Sequence, residues 1–131
     1  MAALSIQPIF RCRDMARALA FYTEILDFRL KYADETAEDT VVTIKNGDAE
    51  IQLCTFEGGL GIPVNICVET GIDALFERYK SRGLDASNQT NSPVHQGPID
   101  QTWGAREFYV TDYYDGNTIR FRQWLQSSKE L

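Results

Sequence analysis

The sequence predicts an α+β fold built from two β-α-β-β-β modules, and three observations carry that expectation. Strand-like runs outnumber helix-like stretches, of which there are two. The order strand, helix, strand, strand, strand occurs on both sides of a flexible midpoint, Gly58-Gly59-Leu60-Gly61. Near the C-terminus, Phe108, Val110, Ile119 and Phe121 alternate with polar residues at the period of a half-buried hairpin. A length of 131 residues suits a single domain over 1–131, with repeat halves at about 1–58 and 62–131.

The elements follow in order. Residues 4–12 read as a strand with Leu4, Ile6, Phe10 and Cys12 on one face. Asp14 is a plausible N-cap for a helix whose Met15, Leu19, Tyr22 and Leu26 recur near every 3.6 residues. Residues 28–32 are a second strand; 39–45 and 49–56 are a third and fourth, joined by the hairpin signal Asn46-Gly47. In the second half, 63–69 read as a strand. A helix within 71–83 puts Ile72, Leu75, Phe76 and Tyr79 on one face, and Gly83 suits its C-terminus. Residues 84–90 are a further strand, and 91–102, with Pro93, Gly97 and Pro98, read as a long loop. The last hairpin turns through 112–117, where Asp115-Gly116-Asn117 tolerate positive φ.

Composition narrows the function classes. Hydrophobic residues at 44% and charged residues at 24% are ordinary for a soluble globular protein. No apolar run approaches the roughly 18 residues of a membrane span, and no secretory signal pattern opens the chain, so the expectation is a cytoplasmic protein without a membrane partner. Three cysteines without CxxC spacing suggest neither a disulfide framework nor a zinc cluster. A net charge of −6 disfavours nucleic acid and favours neutral or cationic partners. Gly58-Gly59-Leu60-Gly61 lacks the Gly-Lys-Ser/Thr element of a phosphate loop. The acidic run from Asp34 to Asp39 reads as a solvated loop, and the lone histidine, His95, as a solvated loop side chain.

The closing segment is more specific. Trp103-Gly104-Ala105-Arg106-Glu107-Phe108, then Asp112-Tyr113-Tyr114-Asp115-Gly116-Asn117, then Ile119-Arg120-Phe121, resembles the last hairpin of bleomycin-resistance proteins. These belong to the vicinal-oxygen-chelate (glyoxalase/bleomycin resistance/dioxygenase) superfamily. The opening Arg13-Asp14 through Phe21-Tyr22, the Leu26-Asp27-Phe28 exit and the Val68-Glu69 to Leu75 stretch are similar to further superfamily landmarks, so nearly the whole chain is covered. The resemblance implies two modules curling a mixed sheet around a concave cup. It also implies a homodimer, with ligand held in crevices at the dimer interface.

Superfamily metalloenzymes carry His and Glu ligands on cup-facing strand positions. By motif these fall here on Gln7, Gln52, Arg120 and a residue within 63–65, none a good ligand for a divalent cation. Arg120 is the least suitable, because its guanidinium is always cationic. The expectation is therefore no metal, no cofactor and no catalytic residue of the family type. Alternation instead lines the cup with Gln7, Gln52, Cys54, Asn65, Cys67, Glu107, Tyr109, Thr111, Arg120 and Arg122. Alternatively these groups satisfy one another, for example Glu107 with Arg120, in a filled cup. Trp103 stands where the resemblance implies a stacking aromatic, or alternatively anchors the loop and plugs the barrel end, and Tyr32 stands near a second stacking position. Asn65 falls near a position that can be Trp in the family, which puts bleomycin itself in doubt as ligand.

The ligand-binding residues expected are thus Trp103, Tyr32, Gln52, Cys54, Asn65, Glu107, Tyr109 and Arg120. They point to metal-free sequestration of a small organic compound, flat and cationic, of the bleomycin-type antibiotic class. The alternatives are a glyoxalase-like lyase or isomerase, or a dioxygenase-related enzyme, using Glu107 or Tyr109 as acid or base or an atypical metal site. A non-catalytic dimerising scaffold is a third.

Overall fold

The computed structural model describes residues 2–125. They form two compact units. One takes the chain up to Ile62 together with Asp112–Asn117; the other takes Pro63–Thr111 and the chain from Thr118 onward. Each unit holds a four-stranded mixed sheet, and each follows the β-α-β-β-β order expected.

In the first unit, β1 (Ile9–Arg11) pairs in parallel with β4 (Ala49–Cys54), which pairs antiparallel with β3 (Val41–Asn46), which pairs with β2 (Arg29–Leu30). The first strand is shorter than the 4–12 expected. Leu4 and Ile6 are 99% and 90% exposed, and pairing begins only where the Pro8 carbonyl accepts the Gln52 N–H at 3.0 Å. Proline has no N–H to give a ladder, so it marks a strand's start. On its other side, the Arg11 N–H donates to Gly59 O at 3.0 Å. This close approach requires Gly58, whose φ is +99° and where a Cβ would lie 2.8 Å from the Ile9 carbonyl oxygen.

Asp14 caps α1 (Met15–Ala20) by accepting the Arg17 N–H at 3.2 Å. The helix widens into one π-turn, Phe21–Ile25, closed by Leu26 N–H to Phe21 O. Met15, Ala18, Tyr22 and Leu26 are buried, and Tyr22 meets Phe21 and Phe28 edge-on with ring centroids 5.0 and 5.9 Å away. β2 stops at Leu30 rather than at residue 32, because a turn closed by Glu35 N–H to Tyr32 O follows. The β3–β4 hairpin pairs Asn46 with Ala49, so its loop is Gly47-Asp48, one residue later than the Asn46-Gly47 signal implied. Positive φ occurs there at Gly47 alone, the position where a II′ connection needs glycine.

In the second unit the order is β5 (Pro63–Cys67), β8 (Thr118–Trp124), β7 (Ala105–Thr111), β6 (Ile99–Asp100), with only β5–β8 parallel. Helix α2 (Ile72–Ser81) buries Ile72, Phe76 and Tyr79 on this sheet. Phe108 and Phe121 stack at 5.1 Å under Phe76 and Tyr79. Residues 84–90 are not a strand: only Leu84 is buried, and Asp85 ties down the Ser87 N–H and hydroxyl at 3.0 and 2.8 Å. Such side-chain bonds compete with a sheet ladder. The edge strand comes later, as β6, and the stretch read as loop also holds a short helix, α3 (Pro93–Gln96), with Pro93 in its first turn.

Candidate functional site

Alternation along β7 and β8 divides the second unit's sheet into two faces. Phe108, Val110, Ile119 and Phe121 are buried on the α2 side, as expected. Glu107, Tyr109, Thr111, Arg120 and Arg122 project from the other, joined by Asn65 and Cys67 of β5. The register sets Glu107 opposite Arg122, Tyr109 opposite Arg120, and Asn65 beside Arg120.

Glu107 is the hub. It is fully buried, and its Oε2 forms an ion pair with Arg122 Nε at 2.8 Å. The same oxygen accepts the Trp103 indole N–H at 3.1 Å, and Oε1 accepts the Tyr109 hydroxyl at 3.4 Å. A buried carboxylate is tolerable only when paired and hydrogen-bonded in this way. The expected Glu107–Arg120 pair is therefore corrected to Glu107–Arg122: the hairpin register puts Arg120 two pairs further along, opposite Tyr109. Arg122 also donates to Asn65 Oδ1 at 3.4 Å. Arg120 lies instead over the Tyr109 ring, its guanidinium carbon 5.1 Å from the centroid. Burial, with the neighbouring Glu107 charge second, pushes the Tyr109 hydroxyl pKa up, so it is a donor at neutral pH.

Trp103 stands just before β7 with 52% of its surface exposed. One edge of the ring is pinned through its N–H, and the remainder is open. His95 is a second correction. It is buried in α3, not solvated: Nε2 lies 2.9 Å from Thr111 Oγ1, Nδ1 2.8 Å from Ser92 Oγ, and its ring meets Tyr109 edge-on at 5.7 Å. Burial lowers its pKa. Ser92-Pro93 ahead of His95 carried the overlooked signal, a helix start with Pro in its first turn.

Of the eight expected residues, five therefore lie in the second unit: Trp103, Glu107, Tyr109, Asn65 and Arg120 form one connected patch through these contacts. The other three belong to the first unit. Gln52 is half-buried on β4 opposite Thr43. Cys54 is buried and close to Cys12. Tyr32 is half exposed with Lys31 Nζ 5.4 Å from its ring centroid, and Lys31 pairs with Glu50 at 3.0 Å. Gln7 is spent on Glu50 at 2.6 Å. Cys67 is exposed, unlike Cys12 and Cys54.

The donor chemistry does not fit a divalent cation. Gln52 and Asn65 are neutral amides, Arg120 is a cation, and Glu107 is committed to Arg122. Among the described residues no three His, Cys, Asp or Glu side chains converge on a point. An open groove of about 560 Å³ lies elsewhere in the second unit, lined by Lys80, Leu84, Asp85, Ala86, Ser87, Thr90 and Gln96. Its polar groups are largely engaged with one another: Ser87 bonds Asp85, and Gln96 donates to the Gln89 and Thr90 carbonyls.

Comparison with known proteins fixes the class. The family model of the glyoxalase/bleomycin resistance protein/dioxygenase superfamily matches residues 5–121, and the chain belongs to that superfamily. Among solved structures, it is similar to a bleomycin-binding protein complexed with bleomycin, at 20% identity and a TM-score of 0.68, covering 92% of this chain and 98% of that one. A bleomycin resistance determinant encoded on the transposon Tn5 gives 18% identity, a TM-score of 0.70, and coverage of 95% and 100%. A glyoxalase-related enzyme from Clostridium phytofermentans gives 21%, 0.70, and coverage of 95% and 97%. At such identities the likeness is one of fold. No curated protein sequence matches the chain significantly. Among the described residues no helix is long and apolar enough to cross a membrane.

Proposed function

We propose that this protein binds a small organic compound on the patch around Trp103 and sequesters it without chemistry. One observation carries the reading: a half-exposed indole, held by its N–H on a fully buried carboxylate that also pairs with Arg122 and accepts the Tyr109 hydroxyl. A tethered flat ring offers a stacking surface whose position is already set, so little ordering is lost on binding. The fold it shares with a protein complexed with bleomycin supports the same reading.

The lyase or isomerase alternative needs a free acid or base. Glu107 has both oxygens engaged and Tyr109 holds its proton more tightly than usual, which favours binding over catalysis. The protein acts as a homodimer in this reading, in the cytoplasm and as one domain. Titrating tryptophan fluorescence with bleomycin and a panel of planar aromatic compounds tests the proposal, with light scattering for the dimer. Saturable quenching is expected; absence of quenching and of thermal shift with every compound would leave the scaffold reading in its place.

A further inference from the structure

The net charge of −6 makes a cationic ligand the natural expectation, but the local charge of the patch has the opposite sign. Glu107 is its one buried carboxylate, and Arg122 neutralises it at 2.8 Å. That leaves the Arg120 guanidinium. Among the described residues Arg120 makes no ion pair; its Nε is buried without a hydrogen-bond partner, and its guanidinium lies over the Tyr109 ring. A guanidinium is always charged and presents its donors as a planar fork. A buried donor without an acceptor is costly, and a carboxylate or similar planar oxyanion satisfies two such donors at once.

We infer that the ligand is an aromatic anion, with its carboxylate or other oxyanion on Arg120 and its ring against Trp103. This rests on the binding proposal above and names the ligand class for the same patch. The two guanidiniums are set apart: Arg122 is taken up by Glu107 and Asn65, whereas Arg120 lies over the Tyr109 ring and pairs with no anion among the described residues. A cationic ligand would meet Arg120 as a like charge.

The test uses Trp124→Phe protein, so that Trp103 reports alone, and four probes: 2-naphthoate, naphthalene-2-carboxamide, 2-naphthylmethylammonium and bleomycin. Naphthoate is expected to bind about tenfold more tightly than the neutral carboxamide, the worth of one charge-assisted hydrogen bond. The preference should shrink in high salt. Arg120→Gln should abolish it, so that naphthoate and the carboxamide bind the variant equally well, and Arg120→Lys should retain part of it; circular dichroism melts check that both variants fold. If the ammonium probe or bleomycin quenches while naphthoate has no advantage over the carboxamide, the anionic class is wrong and the binding proposal stands. If naphthoate wins but Arg120→Gln keeps the preference, Arg120 is not the anchor and the inference fails. If none of the four quenches folded protein, the binding proposal itself falls.

Discussion

Glu107 and Arg122 lie directly opposite each other on β7 and β8, and their side chains close an ion pair around a carboxylate with no exposed surface. Removing one partner would strand the other. Glu107→Ala is therefore expected to destabilise the protein by about 3 kcal/mol, in the range for breaking a buried pair, whereas Glu107→Met with Arg122→Met should cost far less. Urea unfolding of the single and double variants measures the difference. The single variant should also loosen Trp103, visible as a red shift and lower anisotropy of its emission.

His95 sets a pH dependence. Burial lowers its pKa in the folded state, so the neutral ring is the form that fits between Ser92, Thr111 and Tyr109. The unfolded chain then binds more protons than the folded one as pH drops through the ordinary histidine value near 6.5. Stability is expected to be full above that value and to decline below it, down to the folded pKa. Melting temperatures at pH 7.5 and 5.5 should show the fall, and His95→Gln should flatten it.

The cysteines should separate sharply in reactivity. Burial, then the nearby Asp115 charge, raises the Cys12 pKa to about 11, leaving almost no thiolate at neutral pH. Cys54 is buried beside it, and Cys67 is exposed on β5. Brief iodoacetamide treatment of native protein followed by mass spectrometry should modify Cys67 and spare Cys12 and Cys54 until the protein is unfolded.

A fourth expectation concerns the 112–117 turn. Asp115 Oδ1 accepts both the Arg13 backbone N–H at 3.2 Å and Arg13 Nε at 3.1 Å, while Asp112 pairs with Arg17. Both carboxylates are buried, and both arginines lie over the Tyr114 ring. Arg13→Ala leaves a buried carboxylate without its cation and should cost about 1–3 kcal/mol. The double variant with Asp115→Ala should cost less than the sum of the two singles, because they share one interaction. Chemical denaturation provides the readout.

These sites show how far the sequence could be read. The faces of β7 and β8 were legible because alternation needs only local order: Phe108 and Phe121 inward, Glu107 and Arg120 outward. Which outward residues meet was not, since register depends on how many residues the 112–117 loop spends before pairing resumes at Thr118. The Arg122 partner of Glu107 followed from that register alone. The burial of His95 is hidden from the sequence because four residues of helix leave too little periodicity to see. The strand expected at 84–90 failed for a nearer reason: Asp85 and Ser87 bond each other and divert the backbone before it can pair, so Ile99–Asp100 takes the edge. Of the candidate ligand residues, the five on the second unit were placed by alternation and by the closing motif. Tyr32 was placed on a strand that ends two residues before it.

The turn at 112–117 has one more consequence. Its residues pack with the first unit although the strands on either side of it belong to the second. Asp112 and Asp115 supply counter-charges to Arg17 and Arg13, and Asn117 accepts the Ile62 N–H at 3.2 Å and donates to the Arg11 carbonyl at 3.1 Å. A gene fragment stopping at residue 62 would therefore encode a first repeat without its own clasp. However clearly the chain repeats itself, its halves are not interchangeable parts: residues from the second half of the sequence complete the first unit, and any dissection, shuffling or permutation of this protein must carry the clasp along.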